Sequence, residues 1–149
     1  PNVSRGENAL ADFENKERCL KLEEKSSFSS IAGVLQASKT TVRQVLGDCH
    51  GLIIAGYGAS TATVSSMYQY EIANDLNFLV YDDETKIGLY SPNANLRVER
   101  VDKIYTSKTD VLVILTSRFA DRIKENHRNF SGQILAPSLN SERGNRHKQ

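Results

Sequence analysis

The sequence predicts an α/β fold: an open parallel sheet of about five strands in the order 3-2-1-4-5, helices on both faces, and a long helix ahead of the first strand. Three observations predict it. Short, continuously apolar runs recur from residue 52 onward, stretches of helical periodicity separate them, and a pair of glycines follows the first run. An unbroken apolar run is the mark of a strand buried on both faces. Strands alternating with helices imply right-handed crossovers and therefore parallel pairing.

Residues 1–25 are densely charged, and Leu10, Phe13, Leu20 and Leu22 give only a thin helical stripe. This segment reads as a charged linker or a frayed helix. Ile31, Val34, Leu35, Val42, Val45 and Leu46 then fall on one face of a longer helix, packed on a core and ended by Gly47. Leu52, Ile53, Ile54 and Ala55 form the first strand, which the glycines from residue 56 interrupt. Val64, Met67, Tyr68 and Ile72 mark one side of the next helix, and residues 78–81 the second strand, stopped by Asp82 and Asp83. Residues 84–95 hold Gly88, Pro92, Asn93 and Asn95 and should turn. Residues 96–98 suggest a third strand, and Val101, Ile104 and Tyr105 a short helix. Val111 to Leu115 is the central strand, Phe119, Ala120 and Ile123 mark the last helix, and residues 133–136 the last strand. The folded domain is thus expected over residues 26–139. Residues 140–149 hold no apolar side chain and predict a disordered tail. Deleting that tail should change stability by no more than about 0.5 kcal/mol, as for surface changes; a clear fall in melting temperature would show that it is docked.

Composition narrows the function. A length of 149 residues fits one domain with a loose end. A net charge of +1 argues against a dedicated nucleic-acid binder, which would carry a basic stripe. The longest aliphatic run, 111–115, falls far short of the ~20 apolar residues of a membrane span, and no signal segment opens the chain. Two cysteines, Cys19 and Cys49, exclude a disulfide scaffold and fit a reducing cytoplasm. The first residue is Pro1 and not methionine, as expected of a piece of a longer polypeptide.

Gly56, Tyr57, Gly58, Ala59, Ser60 and Thr61 stand where a dinucleotide fold places G-x-G-x-x-G. On that reading the first glycine permits the turn, the second lets a ligand approach the backbone, and free N–H groups at the helix start attract phosphate. Ser60 caps the helix or donates to an anion. Thr61 replaces the third glycine, and a turn that binds nothing fits the same pattern. Asp82 follows the second strand, where an acid grips ribose hydroxyls in nucleotide-binding sheets; a solvated turn aspartate fits equally. Lys86 is placed to reach a phosphate. Arg118 is the strong anion binder of the rim beyond the strand ends, or else a surface ion-pair partner. His50 and His127 are expected at the opposite edge and His147 in the tail, so no nucleophile–base pair and no metal cluster is expected. The candidate binding residues are therefore Tyr57, Gly58, Ala59, Ser60, Asp82, Lys86 and Arg118, with no catalytic residue.

Tyr57-Gly58-Ala59-Ser60, Asp82 with its Gly88 and Pro92 loop, and Val113-Ile114-Leu115 leading to Phe119-Ala120-Asp121 resemble the C-terminal, Rossmann-like domain of sugar C-methyltransferases. Those S-adenosylmethionine-dependent enzymes act on nucleotide-linked deoxysugars. The resemblance runs over about residues 31–139. Ala62, Thr63 and Val64 stand where that family usually has lysine, glycine and asparagine, and Ser117 and Arg118 where it has tryptophan and asparagine. The resemblance implies a small zinc-binding domain and a methyl-transferring domain upstream, with S-adenosylmethionine bound there and no cofactor here. This domain would hold the nucleotide-linked sugar against its upstream partner and be inactive alone. Competing readings are a self-sufficient NAD(P)- or nucleotide-binding Rossmann domain, a structural or interaction domain with an empty pocket, and the methyl-transferring domain itself. Against the last, Ile54 and Ala55 occupy the place of an expected acid.

Overall fold

The computed structural model describes residues 12, 14–17, 19, 25–92 and 94–137. The expected tail lies outside the described residues, as does most of the segment ahead of residue 25. The chain divides into two units, Pro1–Gln36 and Ala37–Gln149. In the first, residues 12, 14–17 and 19 are helical, and helix α1 (Lys25–Gly47) begins. Ile31 and Val34 are exposed there, so the apolar stripe expected to pack along the whole helix is buried only in its later part, at Val42 and Leu46.

The second unit holds the end of α1 and an open sheet of five parallel strands with helices on both faces. Its strands are β1 (Ile54–Tyr57), β2 (Phe78–Tyr81), β3 (Val98–Arg100), β4 (Val111–Ile114) and β5 (Gln133–Leu135). The order is β3-β2-β1-β4-β5, as the alternating pattern predicted. Helix α2 (Thr61–Tyr70) follows β1, the short α3 (Lys103–Thr106) follows β3, and α4 (Ala120–Asn126) follows β4.

Strand alternation sorts the core. Ile54, Val111, Val113 and Leu115 face one way, with Val42, Leu46, Met67 and Tyr70. Ala55, Tyr57, Leu112 and Ile114 face the other, with Ile104, Ile123 and Phe130. Burying each large aliphatic side chain contributes about 1.5–3 kcal/mol, which is why strands of three or four residues suffice. The end of α1 is held by Arg43, whose guanidinium donates to the Glu71 carbonyl at 2.9 Å and to Asp75 Oδ2 at 2.5 Å.

Several boundaries differ from the sequence reading. β1 starts at Ile54 because Leu52 is exposed, and it runs through Gly56, which the sequence assigned to the turn. Gly56 is needed for its size: a Cβ there would lie 2.7 Å from Leu79 Cδ2 and 2.8 Å from Leu115 Cδ1. The buried face of α2 is Thr63, Met67 and Tyr70, with Tyr68 exposed, and Glu71 (φ 54°) ends the helix before Ile72. β3 begins two residues late because Arg97 bridges antiparallel to Tyr90. The intervening loop is pinned by backbone bonds of 2.8 Å from Gly88 to Val98, Ser91 to Leu96 and Val98 to Leu89.

Candidate functional site

Strand order reverses between β1 and β4, and open α/β sheets bind ligands at such a point, outside the carboxyl ends of the strands. The fold places a trough of about 870 Å³ there, lined by Tyr57 from β1, Ser60 and Ser66 from the cap and body of α2, Asp82 and Asp83 after β2, Arg118 from the turn Ser117–Phe119, and Arg122 and Asn126 from α4. A second cleft of about 420 Å³ lies between the start of α2 and the loop after β2, and includes Ala59, Ser60, Lys86, Leu89 and Tyr90. The predicted residues therefore divide. Tyr57, Asp82 and Arg118 share the trough, Ala59 and Lys86 line the cleft, and Ser60 borders both.

Gly58 lines neither. Its φ of 136° excludes ordinary side chains, and its N–H donates to the Val80 carbonyl at 2.9 Å. The space a ligand would approach is held by Thr63, whose Oγ1 would lie 2.4 Å from a Cβ on Gly58. Thr63 also completes a capping box. Its hydroxyl accepts the Ser60 N–H at 3.2 Å, while Ser60 Oγ accepts the Thr63 N–H at 3.4 Å. Of the two roles open to Ser60, the structure shows the cap.

The two aspartates after β2 have different tasks. Asp83 caps the turn Glu84–Lys86, taking the Thr85 N–H at 3.0 Å and its hydroxyl at 2.7 Å, which holds its carboxyl below the usual range. Asp82 accepts the phenol proton of Tyr57, with 2.5 Å between Oη and Oδ2. That phenol is buried and faces a carboxylate, so its pKa is pushed far above the ordinary 10. Tyr57 is thus a fixed donor that tethers Asp82. Arg118 and Arg122 have no carboxylate partner within salt-bridge distance among the described residues; Arg118 lies 5.7 Å from the Phe119 ring centroid. Sequence reasoning missed Arg122 and Asn126, though their four-residue spacing from Arg118 carried the signal.

His127 lies elsewhere than the sequence placed it. Expected at the opposite edge, its ring packs 5.6 Å from that of Tyr57, and Nδ1 lies 2.7 Å from the Tyr105 hydroxyl. A seven-residue helix rises only about 10 Å, so α4 ends while still beside β1. His127 is buried beneath the trough and is absent from its lining. Burial lowers its pKa below 6.5, against a smaller upward pull from Asp82. Below that value the unfolded chain takes up a proton that the folded chain resists, so stability falls with acidification. Melting curves from about pH 7.5 to about 5 should drop more steeply for the parent than for His127→Gln. Equal slopes would show that His127 does not resist protonation.

Among the described residues, no group of three or more His, Cys, Asp and Glu side chains could hold a metal ion, and no helix is long and apolar enough to cross a membrane. A family model described as the C-methyltransferase C-terminal domain matches residues 2–136. No curated protein matches the chain in sequence.

Proposed function

The chain belongs to the family of C-methyltransferase C-terminal domains, and on that premise we propose that residues 26–139 are its non-catalytic, nucleotide-sugar-binding part. The observation that carries this reading is the trough, where Arg118 and Arg122, both without carboxylate partners among the described residues, line the same space as Asp82 and the Tyr57 that tethers it. Guanidinium groups bind phosphate oxygens in pairs of charge-assisted bonds. Asp82, with Oδ2 engaged by Tyr57, keeps Oδ1 for a sugar or ribose hydroxyl. Lys86 and the open amides at the start of α2 add positive potential beside Ser60. Gly58 and Ala59 shape the turn that brings these groups together.

Moving a methyl group to a sugar carbon needs a base to remove the carbon-bound proton. Tyr57 is poorly suited, because burial and Asp82 both hold its proton in place, and among the described residues no imidazole lines the trough. S-adenosylmethionine and the methyl-transferring groups are assigned to an upstream domain of the same polypeptide, which is the partner of this one. Its setting is the reducing cytoplasm, where the free Cys19 and Cys49 are stable as thiols. Incubating the pure chain with labelled S-adenosylmethionine and a panel of nucleotide-linked keto-sugars should give no transfer above background. Turnover would overturn the binding-domain reading.

A further inference from the structure

The cleft beside the trough differs from it in chemistry. Its floor is Val64, Leu79 and Val98, its wall is Leu89, Tyr90 and Pro92, and exposed Lys86 supplies its one charge. Leu89 and Tyr90 are 54% and 60% exposed, although the loop that carries them is pinned at three backbone bonds. A rigid loop thus holds two large apolar side chains out of the core and beside an apolar floor. Ser91 is a second, independent sign. It is 8% exposed and lines the cleft, and its hydroxyl donates a long 3.5 Å bond to the neighbouring Pro92 carbonyl, which leaves its oxygen able to accept from a group in the cleft. A hydroxyl has two acceptor lone pairs besides its donor, so a polar edge in the cleft can bond to it.

We propose that this cleft is a nucleobase subsite, with Tyr90 stacking on a planar ring, Leu79 and Val98 beneath it, and the Ser91 hydroxyl bonded to the ring's polar edge. The inference rests on the nucleotide-sugar reading above and adds to it the residues that select for a base. Ser60 borders both compartments, so one elongated ligand can lay its ring in the cleft, pass its phosphates over the start of α2 between Lys86 and the trough arginines Arg118 and Arg122, and place its sugar beside Asp82. Apolar pockets with a few placed polar groups are the usual form of small-molecule sites, and about 300–1,000 Å³ is their usual size. The opposite arrangement, with the base in the trough, would set an apolar ring among two arginines and two aspartates and leave the apolar cleft to a hydrated sugar.

The test is nuclear magnetic resonance on the full chain titrated with uridine diphosphate, thymidine diphosphate and, separately, inorganic pyrophosphate. The expected result is magnetisation transfer from the base protons to the methyl groups of Leu79 and Val98, with none from base to Ile123 or Leu115 in the trough. Tyr90→Ala should weaken nucleoside diphosphate binding about five- to fiftyfold, in line with the worth of a stacked base, and Ser91→Ala about three- to tenfold, the worth of one hydrogen bond. Pyrophosphate binding should be unchanged in both, which also shows that the variants fold. Nucleotide binding by the parent chain with contacts in the trough alone, or with both variants unaffected, overturns the subsite and leaves the binding-domain reading standing. If neither nucleoside diphosphate binds the parent chain, both readings fail together.

Discussion

Replacing Gly58 with valine is expected to destabilise the fold by about 3–4 kcal/mol, through strain and a clash. A residue with a side chain resists the φ of 136°, and its Cβ would meet Thr63 Oγ1 at 2.4 Å and Thr116 Cγ2 at 3.1 Å. Displacing Thr63 also opens the capping box of α2, which is worth about 1 kcal/mol. Thermal unfolding should show a fall on the order of 10 °C or more. Adding Thr63→Ala relieves the clash but not the backbone strain, so the double variant should recover only part of the loss. A single variant melting within about 2 °C of the parent would contradict this account of the turn. The expectation differs from the one the glycine spacing suggests, in which the glycine keeps a path open for ligand. Here its room is taken by the protein's own threonine.

Arg118→Ala should weaken binding of a nucleotide-linked sugar about 10–100-fold, the worth of a charge-assisted bond to phosphate, while leaving the melting temperature unchanged. Arg118 is exposed and has no carboxylate partner among the described residues, so the folded state loses little with it. Arg118→Lys should restore only part of the affinity, since an ammonium cannot make two parallel bonds. Calorimetric titration reads both variants. Undiminished affinity in Arg118→Ala would remove the trough from the ligand's path.

The strand order was legible from the alternation of strands and helices, and the inner strands β1, β2 and β4 because buried parallel strands are unbroken apolar runs, as in Val111 to Leu115. The edge strands β3 and β5 carry charged or polar residues and gave a weaker pattern. Boundaries slipped where a local device overrode hydrophobicity. Glu71 adopts a left-handed conformation and ends α2 before Ile72, and the Tyr90–Arg97 bridge delays β3. Asp82 and Asp83 look alike in sequence; only the bonds from Thr85 to one and from Tyr57 to the other separate a turn cap from a trough carboxylate. The place of His127 was misjudged because helix length, which sets how far a side chain is carried from the rim, is read poorly from a short apolar pattern. Leu89, Tyr90 and Ser91 gave no signal, since a loop's exposed apolar residues acquire meaning only from the wall they form.

A domain that holds a nucleotide-linked sugar and leaves the methyl donor to another domain has a distinct calorimetric signature. The full chain is titrated with a nucleotide-linked sugar and, in a parallel cell, with S-adenosylmethionine. The first should bind saturably at a single site, and the second should give no heat of binding. Saturable binding of S-adenosylmethionine, with none of the nucleotide-linked sugar, would contradict the binding-domain reading.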